Sequence, residues 1–203
     1  MTNRTLLPVA TKDMPAFVTP RLVVRVATLN DLDTIVRYVN ENAAFLQPWE
    51  PTRSAYYYTA AYWRTQISRD PDDVLQDRGV RFFLFDKASS ETQVRGVATF
   101  GNVVRGAAQY CTLGYATAET SQGQGYMREA LEEAAIPFIF NTLRLHRIHA
   151  NYLPRNERSG GLLRRLQFSI EGYARDYLFI NGRWEDHILT SLTNPDWKPA
   201  SAP

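Results

Sequence analysis

Apolar and polar positions alternate with two different periods along this chain, and each change of period marks an element. The run Leu22-Val23-Val24-Arg25-Val26 predicts a first strand. Asn30 or Asp31 can cap the helix that follows, whose apolar stripe passes through Ile35, Val36 and Val39. Phe45-Leu46-Gln47-Pro48-Trp49-Glu50-Pro51 ends that helix, because the residue before each proline is steered away from the α region. Residues 56–67 carry Tyr57, Tyr58, Tyr62 and Trp63 at helical spacing, a second helix with an aromatic core face. Residues 80–85 and 94–100 read as two strands flanking a polar turn, hence a hairpin.

The β-forming stretch 109–116 leads into Thr120-Ser121-Gln122-Gly123-Gln124-Gly125-Tyr126-Met127, after which residues 129–140 return to helical spacing. Pro137 should kink this helix, since its ring clashes with the carbonyl of Glu133 and one backbone bond is lost. In residues 146–153, Arg147, His149 and Asn151 alternate with Ile148, Ala150 and Tyr152, as in a half-buried strand. Asn156 opens a helix through Ser159, Leu162, Leu163 and Leu166. Residues 168–180 and 184–192 close the chain as a hairpin across Asn181-Gly182, a type I′ turn signal. The order β-α-α-β-β-β-α-β-α-β-β predicts an α/β fold, a mixed sheet of about seven strands with helices on both faces.

One domain over residues 20–194 accommodates this pattern. Residues 1–19, with Pro8, Pro15 and Pro20, read as a loosely attached lead-in, and residues 195–203 as a flexible tail. The chain has 203 residues, enough for a substantial core. A net charge of +2 argues against a dedicated, sequence-specific nucleic-acid binder. A single cysteine excludes an internal disulfide, and three histidines beside it leave a Cys/His zinc site without ligands, so no metal is expected. Lys12 and Asp13 interrupt the first apolar run, and no stretch reaches the length of a membrane span, so the expected location is cytoplasmic. The chain fits a monomer or a homodimer.

The candidate chemistry centres on Gly123 and Gly125. A strand, a glycine turn and a helix start can cradle a phosphate, because bare backbone amides approach the anion at the positive end of the helix dipole. The motif is neither a P-loop nor a dinucleotide fingerprint, and these residues alone fit a ligand-free turn equally well.

The wider pattern is more specific. Phe45-Leu46-Gln47-Pro48-Trp49-Glu50-Pro51, Asn102-Val103-Val104-Arg105-Gly106, the run from His146 through Asn151 and Tyr152 to Ser159, Glu171-Gly172-Tyr173-Ala174-Arg175-Asp176-Tyr177-Leu178 and Trp184-Glu185-Asp186-His187 form five blocks from Thr19 to Trp197. With the glycine turn after the fourth strand, they resemble the GNAT superfamily, and within it the RimJ type of ribosomal-protein-alanine N-acetyltransferase. That resemblance implies a mostly antiparallel, twisted sheet splayed between the fourth and fifth strands. It also implies acetyl-CoA as donor and the N-terminal amine of a ribosomal protein as acceptor, with contact to the ribosome.

By the same resemblance, the backbone of Gly123, Gln124, Gly125, Tyr126 and Met127 would hold the pyrophosphate. Tyr115, Ala116 and Thr117 would pair with the pantetheine arm, to which Asn156 would also bond. Ser159 would donate to the departing thiolate, and capping of the helix is an equally physical role for Asn156 and Ser159. Thr120 stands where the family usually has Gln or Arg, and Gln122 offers a neighbouring amide. Trp49 and Glu50 would bind substrate, and Glu50, Asp176 and Glu171 are candidate bases, Glu171 reading better as a salt-bridge partner. Arg144, Arg147, Arg155, Arg158, Arg164 and Arg165 would meet the 3′-phosphate, ribosomal RNA or only solvent. A small-molecule amine as acceptor, or a CoA- or ribosome-binding protein without transfer chemistry, is compatible with the same motifs.

Overall fold

A computed structural model describes residues 14–199. Eight strands form one open sheet: β1 Ala16–Val18, β2 Leu22–Arg25, β3 Val80–Asp86, β4 Val94–Val104, β5 Tyr110–Thr117, β6 Arg147–His149, β7 Ser169–Ile180 and β8 Arg183–Thr193. Their spatial order is β1-β2-β3-β4-β5-β6-β8-β7, antiparallel throughout except for the parallel pair β5–β6. The helices are α1 Leu32–Glu41, α2 Ala43–Leu46, α3 Ala60–Leu75, α4 Tyr126–Ala130 and α5 Glu157–Arg165.

The central strand β3 explains the two-layered core. Phe82 and Leu84 face one side with Phe100, Leu131, Ile139 and Ile148, while Phe83 and Phe85 face the other with Ile35, Tyr38, Trp63 and Ile67. A strand covered on both faces reads as a continuous apolar run, which is what residues 80–85 do. Each of these fully buried aromatic or aliphatic side chains contributes about 1.5–3 kcal/mol relative to exposure.

The hairpin turn is as expected. Asn181 and Gly182 have φ of 45° and 84°, the positive pair that a type I′ turn requires. Two features differ from the sequence reading. Residues Ala16–Val18 of the expected lead-in pair with Val23–Arg25, because a three-residue strand between Pro15 and Pro20 is too short for its period to show. Residues 1–13 of the lead-in and 200–203 of the tail lie outside the described residues.

The second difference concerns Pro137. The helix begun by α4 runs on, through wide turns at Leu131–Ala135 and Phe138–Thr142. In these, the N–H groups of Ile136 and Leu143 reach back five residues, to the carbonyls of Leu131 and Phe138. The wider turn absorbs a ring that an α-turn cannot, so the helix bulges around the proline.

Between α3 and β3 lies a buried ionic contact. Asp70 is 4% exposed and its Oδ1 is 3.5 Å from Arg81 Nη1, while Asp70 Oδ2 and Trp63 Nε1 have no hydrogen-bond partner. Burial pushes the Asp70 carboxyl up to about 6, against the pull of Arg81. The folded protein therefore binds this proton more tightly than the unfolded chain does. The resulting stabilisation is complete below about pH 4 and is lost as pH rises to about 6.

Asp70→Asn should flatten that window. The wild type is expected to lose roughly 1–3 kcal/mol between pH 4 and 6 through this group. Urea midpoints across that range check it, and equal slopes in variant and wild type would refute the assignment.

Candidate active site

The glycine turn takes the form its residues allow. After the short 3₁₀ turn Glu119–Ser121, Gly123 and Gly125 adopt φ of 72° and 80°, the left-handed region that L side chains rarely enter. Gly125 is the N-cap of α4 and supplies no side chain to it. The first backbone bond inside the helix is Glu129 N–H to Gly125 O, at 3.0 Å. The amides of Tyr126, Met127 and Arg128 precede it and lack an intrahelical partner, so they converge with the helix dipole on an exposed turn. Gln122 Nε2 donates to Thr117 O at 3.0 Å, and Gln124 Nε2 to Thr120 O at 2.7 Å. Both side-chain amides thus brace the turn from within, and Thr120 contributes its carbonyl.

Beside this turn the sheet opens. β5 and β6 pair only through Tyr110, Cys111 and Thr112. Ala118 N–H donates to Arg95 O at 2.9 Å, and antiparallel pairing alternates from there. Ala116 and Gly114 therefore turn their backbone groups toward β4, while Tyr115 and Thr117 turn theirs toward the gap left by β6. Successive side chains of β5 point to opposite faces, so Tyr115 and Ala116 address different layers at the same place.

On the α4–α5 side, Asn156 Oδ1 accepts the N–H of Ser159 at 3.1 Å, capping α5. Ser159 Oγ lies 2.7 Å from Tyr115 Oη. Burial pushes the Tyr115 phenol up to about 12, although the bond to Ser159 pulls the other way, so this pair stays protonated near neutral pH. The next residue, Gly160, lets the Tyr152 ring pack against α5, since a β-carbon there would fall 2.7 Å from that ring. The sequence reading gave Tyr115 only a backbone role. Its hydroxyl was findable, because a tyrosine in a core stripe needs a polar partner.

On the α1–α3 side, Tyr38, Leu46, Glu50, Tyr57, Val97 and Ala116 line a cleft. Tyr38 Oη donates to Ala116 O at 3.3 Å, and burial, then the nearby Glu50 charge, raise the Tyr57 hydroxyl to about 12. Arg53 Nε donates to Glu50 Oε2 at 3.3 Å. The lip bearing Trp49 and Glu50 is stitched down twice. Asn181 N–H, in the β7–β8 turn, donates to Glu50 O at 3.0 Å, and Arg155 Nη2 donates to Pro48 O at 2.9 Å. Arg155 lies 5.3 Å over the Trp49 ring and pairs with Glu185 at 3.0 Å.

Glu50 and Ala116 share the cleft, Tyr115 is bonded to Ser159, Gln122 to Thr117 and Arg155 to the Trp49 lip, whereas Asp176 takes part in none of these contacts. It occupies a bulge of β7 at φ 46°, its N–H donating to Asp186 Oδ1 at 2.8 Å. Among the described residues no hydrogen bond or ion pair joins its carboxylate to Ser159, Tyr115 or Glu50. Glu171 accepts from Ser191 Oγ at 2.7 Å and pairs with Arg147, which together hold it below the usual carboxylate range. Cys111 is fully buried, its thiol pushed up to about 12 by burial. Of the arginine cluster, Arg147 and Arg155 are in ion pairs, while Arg144, Arg158, Arg164 and Arg165 are exposed. Among the described residues no group of three or more His, Cys, Asp or Glu is arranged to hold a metal ion, and no helix is long and apolar enough to cross a membrane.

Residues 21–169 match the family described as Acetyltransferase (GNAT) domain. The chain is 46% identical over 181 residues to the [Ribosomal protein uS5]-alanine N-acetyltransferase of Escherichia coli (strain K12), covering 89% of this chain and 92% of that protein. Probable N-acetyltransferase YjcK of Bacillus subtilis (strain 168) is 31% identical over 175 residues, 86% of this chain and 95% of that one. Among solved structures, the ribosomal-protein-S5-alanine acetyltransferase from Vibrio fischeri superposes with a TM-score of 0.85 at 38% identity, covering 91% of this chain and 99% of that one. Mycobacterium smegmatis RimJ in complex with CoA-disulfide gives a TM-score of 0.79 at 26% identity, covering 94% and 91% respectively.

The Tyr115–Ser159 bond can be weighed without any assay of activity. Tyr115→Phe and Ser159→Ala should each lower unfolding stability by about 1 kcal/mol, and the double variant by less than the sum. Denaturant titration of the four proteins measures the coupling, and strictly additive losses would show that the two hydroxyls do not depend on each other.

Proposed function

The chain belongs to the GNAT family of N-acetyltransferases, and on that premise we propose that it transfers acetyl from acetyl-CoA to the N-terminal alanine amine of a small-subunit ribosomal protein. The observation that carries the acceptor is the 46% identity over nearly the whole length of the uS5-alanine enzyme. The geometry of the gap supports the donor.

Acetyl-CoA supplies an acyl group already activated as a thioester. The turn suits its pyrophosphate, since two positive-φ glycines and three uncommitted helix amides offer backbone donors with no side chain of their own in the way. The backbone edge at Tyr115 and Thr117 would take the pantetheine arm as an added strand, with Asn156 reaching it from α5. An N–H in that edge would face the thioester oxygen and stabilise charge as it develops there. Ser159, held by Tyr115, would donate its proton to the sulfur and regain one from solvent through the Tyr115 hydroxyl. A thiol of pKa about 8.5 leaves fairly well unaided, so this help is useful rather than indispensable.

The acceptor would enter from the opposite face, across Trp49. Glu50, at the cleft, would take the ammonium proton directly or through water. Asp176, on the exposed bulge, is the lesser candidate because nothing ties it to the gap. An α-amine has a pKa of about 7.7–8.0, against about 10.4 for a lysine, so a modest base suffices. The exposed arginines of α5 would meet the 3′-phosphate of CoA or the ribosome.

Incubation with acetyl-CoA and peptides starting with alanine, followed by mass spectrometry, should show one acetyl group on the N-terminal amine. Acetylation confined to small amines would overturn the acceptor assignment. Gly125→Asp should sharply weaken CoA binding, by placing a side chain and a like charge in the anion site, and unchanged affinity by calorimetry would count against the cradle. Ser159→Ala should lower kcat by about 10²–10⁴ at most, with CoA affinity kept, and wild-type turnover would remove Ser159 from the mechanism. The kcat/KM for the peptide should rise with pH and level off above about 8, where the amine is neutral. With Tyr115 at about 12, no matching fall is expected below pH 10.

A further inference from the structure

The glycine turn, braced from within by Gln122 and Gln124, is also held from outside. Glu129, in the first turn of α4, receives three hydrogen bonds from the loop between β1 and β2. Thr19 Oγ1 donates at 2.6 Å, Arg21 N–H at 2.9 Å and Arg21 Nε at 2.6 Å. Arg21 Nη1 donates to Gln124 O at 2.9 Å, and its guanidinium lies 4.3 Å over the Tyr126 ring. Arg95, itself paired with Asp86, lies 5.2 Å from the same ring. A single side chain thus grips residues 124, 126 and 129, before and inside the helix start.

Two consequences follow for an anion at this turn. An acidic side chain in the first helical turn is favourable alone, yet it repels a second anion placed at the same helix end. Arg21 neutralises Glu129, whose side chain is only 9% exposed. Burial by itself would raise the Glu129 carboxyl, but the bonds from Thr19 and Arg21 outweigh it and keep it below the usual range, so it is charged and its charge is answered. The last nitrogen, Arg21 Nη2, lies 3.6 Å from where a β-carbon on Gly125 would sit. Arg21 is 44% exposed, and an ion pair so solvated adds little to stability. Its geometry therefore bears on the turn more than on the fold.

We propose that Arg21 is a positioning residue for the donor site: it fixes the turn through Gln124 and Glu129, cancels the Glu129 charge, and presents Nη2 to the pyrophosphate. This rests on the acetyl-CoA reading above, and the test separates the two.

CoA and dephospho-CoA, which share the pyrophosphate and differ in the 3′-phosphate, are titrated calorimetrically into wild type, Arg21→Met, Arg21→Lys and Arg21→Met/Glu129→Gln. Arg21→Met should bind both ligands about ten-fold more weakly, the size of one lost charge-assisted hydrogen bond. Its thermal midpoint should stay near that of wild type, and the loss should fall on the KM for acetyl-CoA rather than on that for the peptide. Arg21→Lys keeps the charge without the fork and should recover part of the affinity, as should the double variant, in which no bare carboxylate remains. Wild-type affinity in Arg21→Met, or a loss seen with CoA alone, overturns the proposal while leaving the acetyl-CoA reading intact. If Arg21→Met does not fold, Arg21→Lys carries the test, and equal binding of both ligands to it and to wild type is the refuting result. A wild type that binds neither ligand refutes the donor reading itself.

Discussion

The departure of β6 from β5 after Thr112 is the constraint on which the site depends. It has a visible cause in the chain beyond His149. Ala150 N–H turns to Thr190 O at 3.0 Å, Tyr152 exchanges backbone bonds with Ile188, and Asn151 Oδ1 accepts from Thr190 N–H at 3.3 Å. The strand is drawn away by β8 and cannot follow β5 further. A buried sheet seldom leaves backbone donors and acceptors unpaired, because each costs about as much as a lost hydrogen bond. Here the exception falls beside a helix start that also holds uncommitted amides.

The second organising fact is that β5 presents two layers at one point. The Tyr115–Ser159 pair lies on the α4–α5 side of the sheet, and Glu50 with Tyr38 lines the cleft on the α1–α3 side. A sheet that separates these layers everywhere else brings them together where it parts. On the proposed reading, donor and acceptor would approach this point from opposite faces of the sheet.

How much of this was legible beforehand follows from where the information lies. The strands of the core, the hairpin at Asn181-Gly182 and the glycine turn were readable because period and turn chemistry are local. The five spaced blocks carried the family, which no single motif did. β1 was hidden by its three-residue length, and the wide turns around Pro137 by the fact that a proline signals a break without saying how the helix accommodates it. Tyr115 to Ser159, Glu50 to Asn181 and Arg21 to Glu129 escaped for another reason. Each joins positions 44, about 130 and 108 residues apart, and only the folded chain brings them together.

The tie between the Glu50 carbonyl and the tip of the last hairpin has an evolutionary reading. The proposed acceptor lip is assembled from a loop and a hairpin, the kinds of segment that tolerate change, whereas the glycine turn is mainly backbone. Lengthening or retuning residues 179–184 would then reshape the lip that holds Glu50 without touching the glycine turn. On that reading, a change of acceptor would need no change in the turn that opens the long helix.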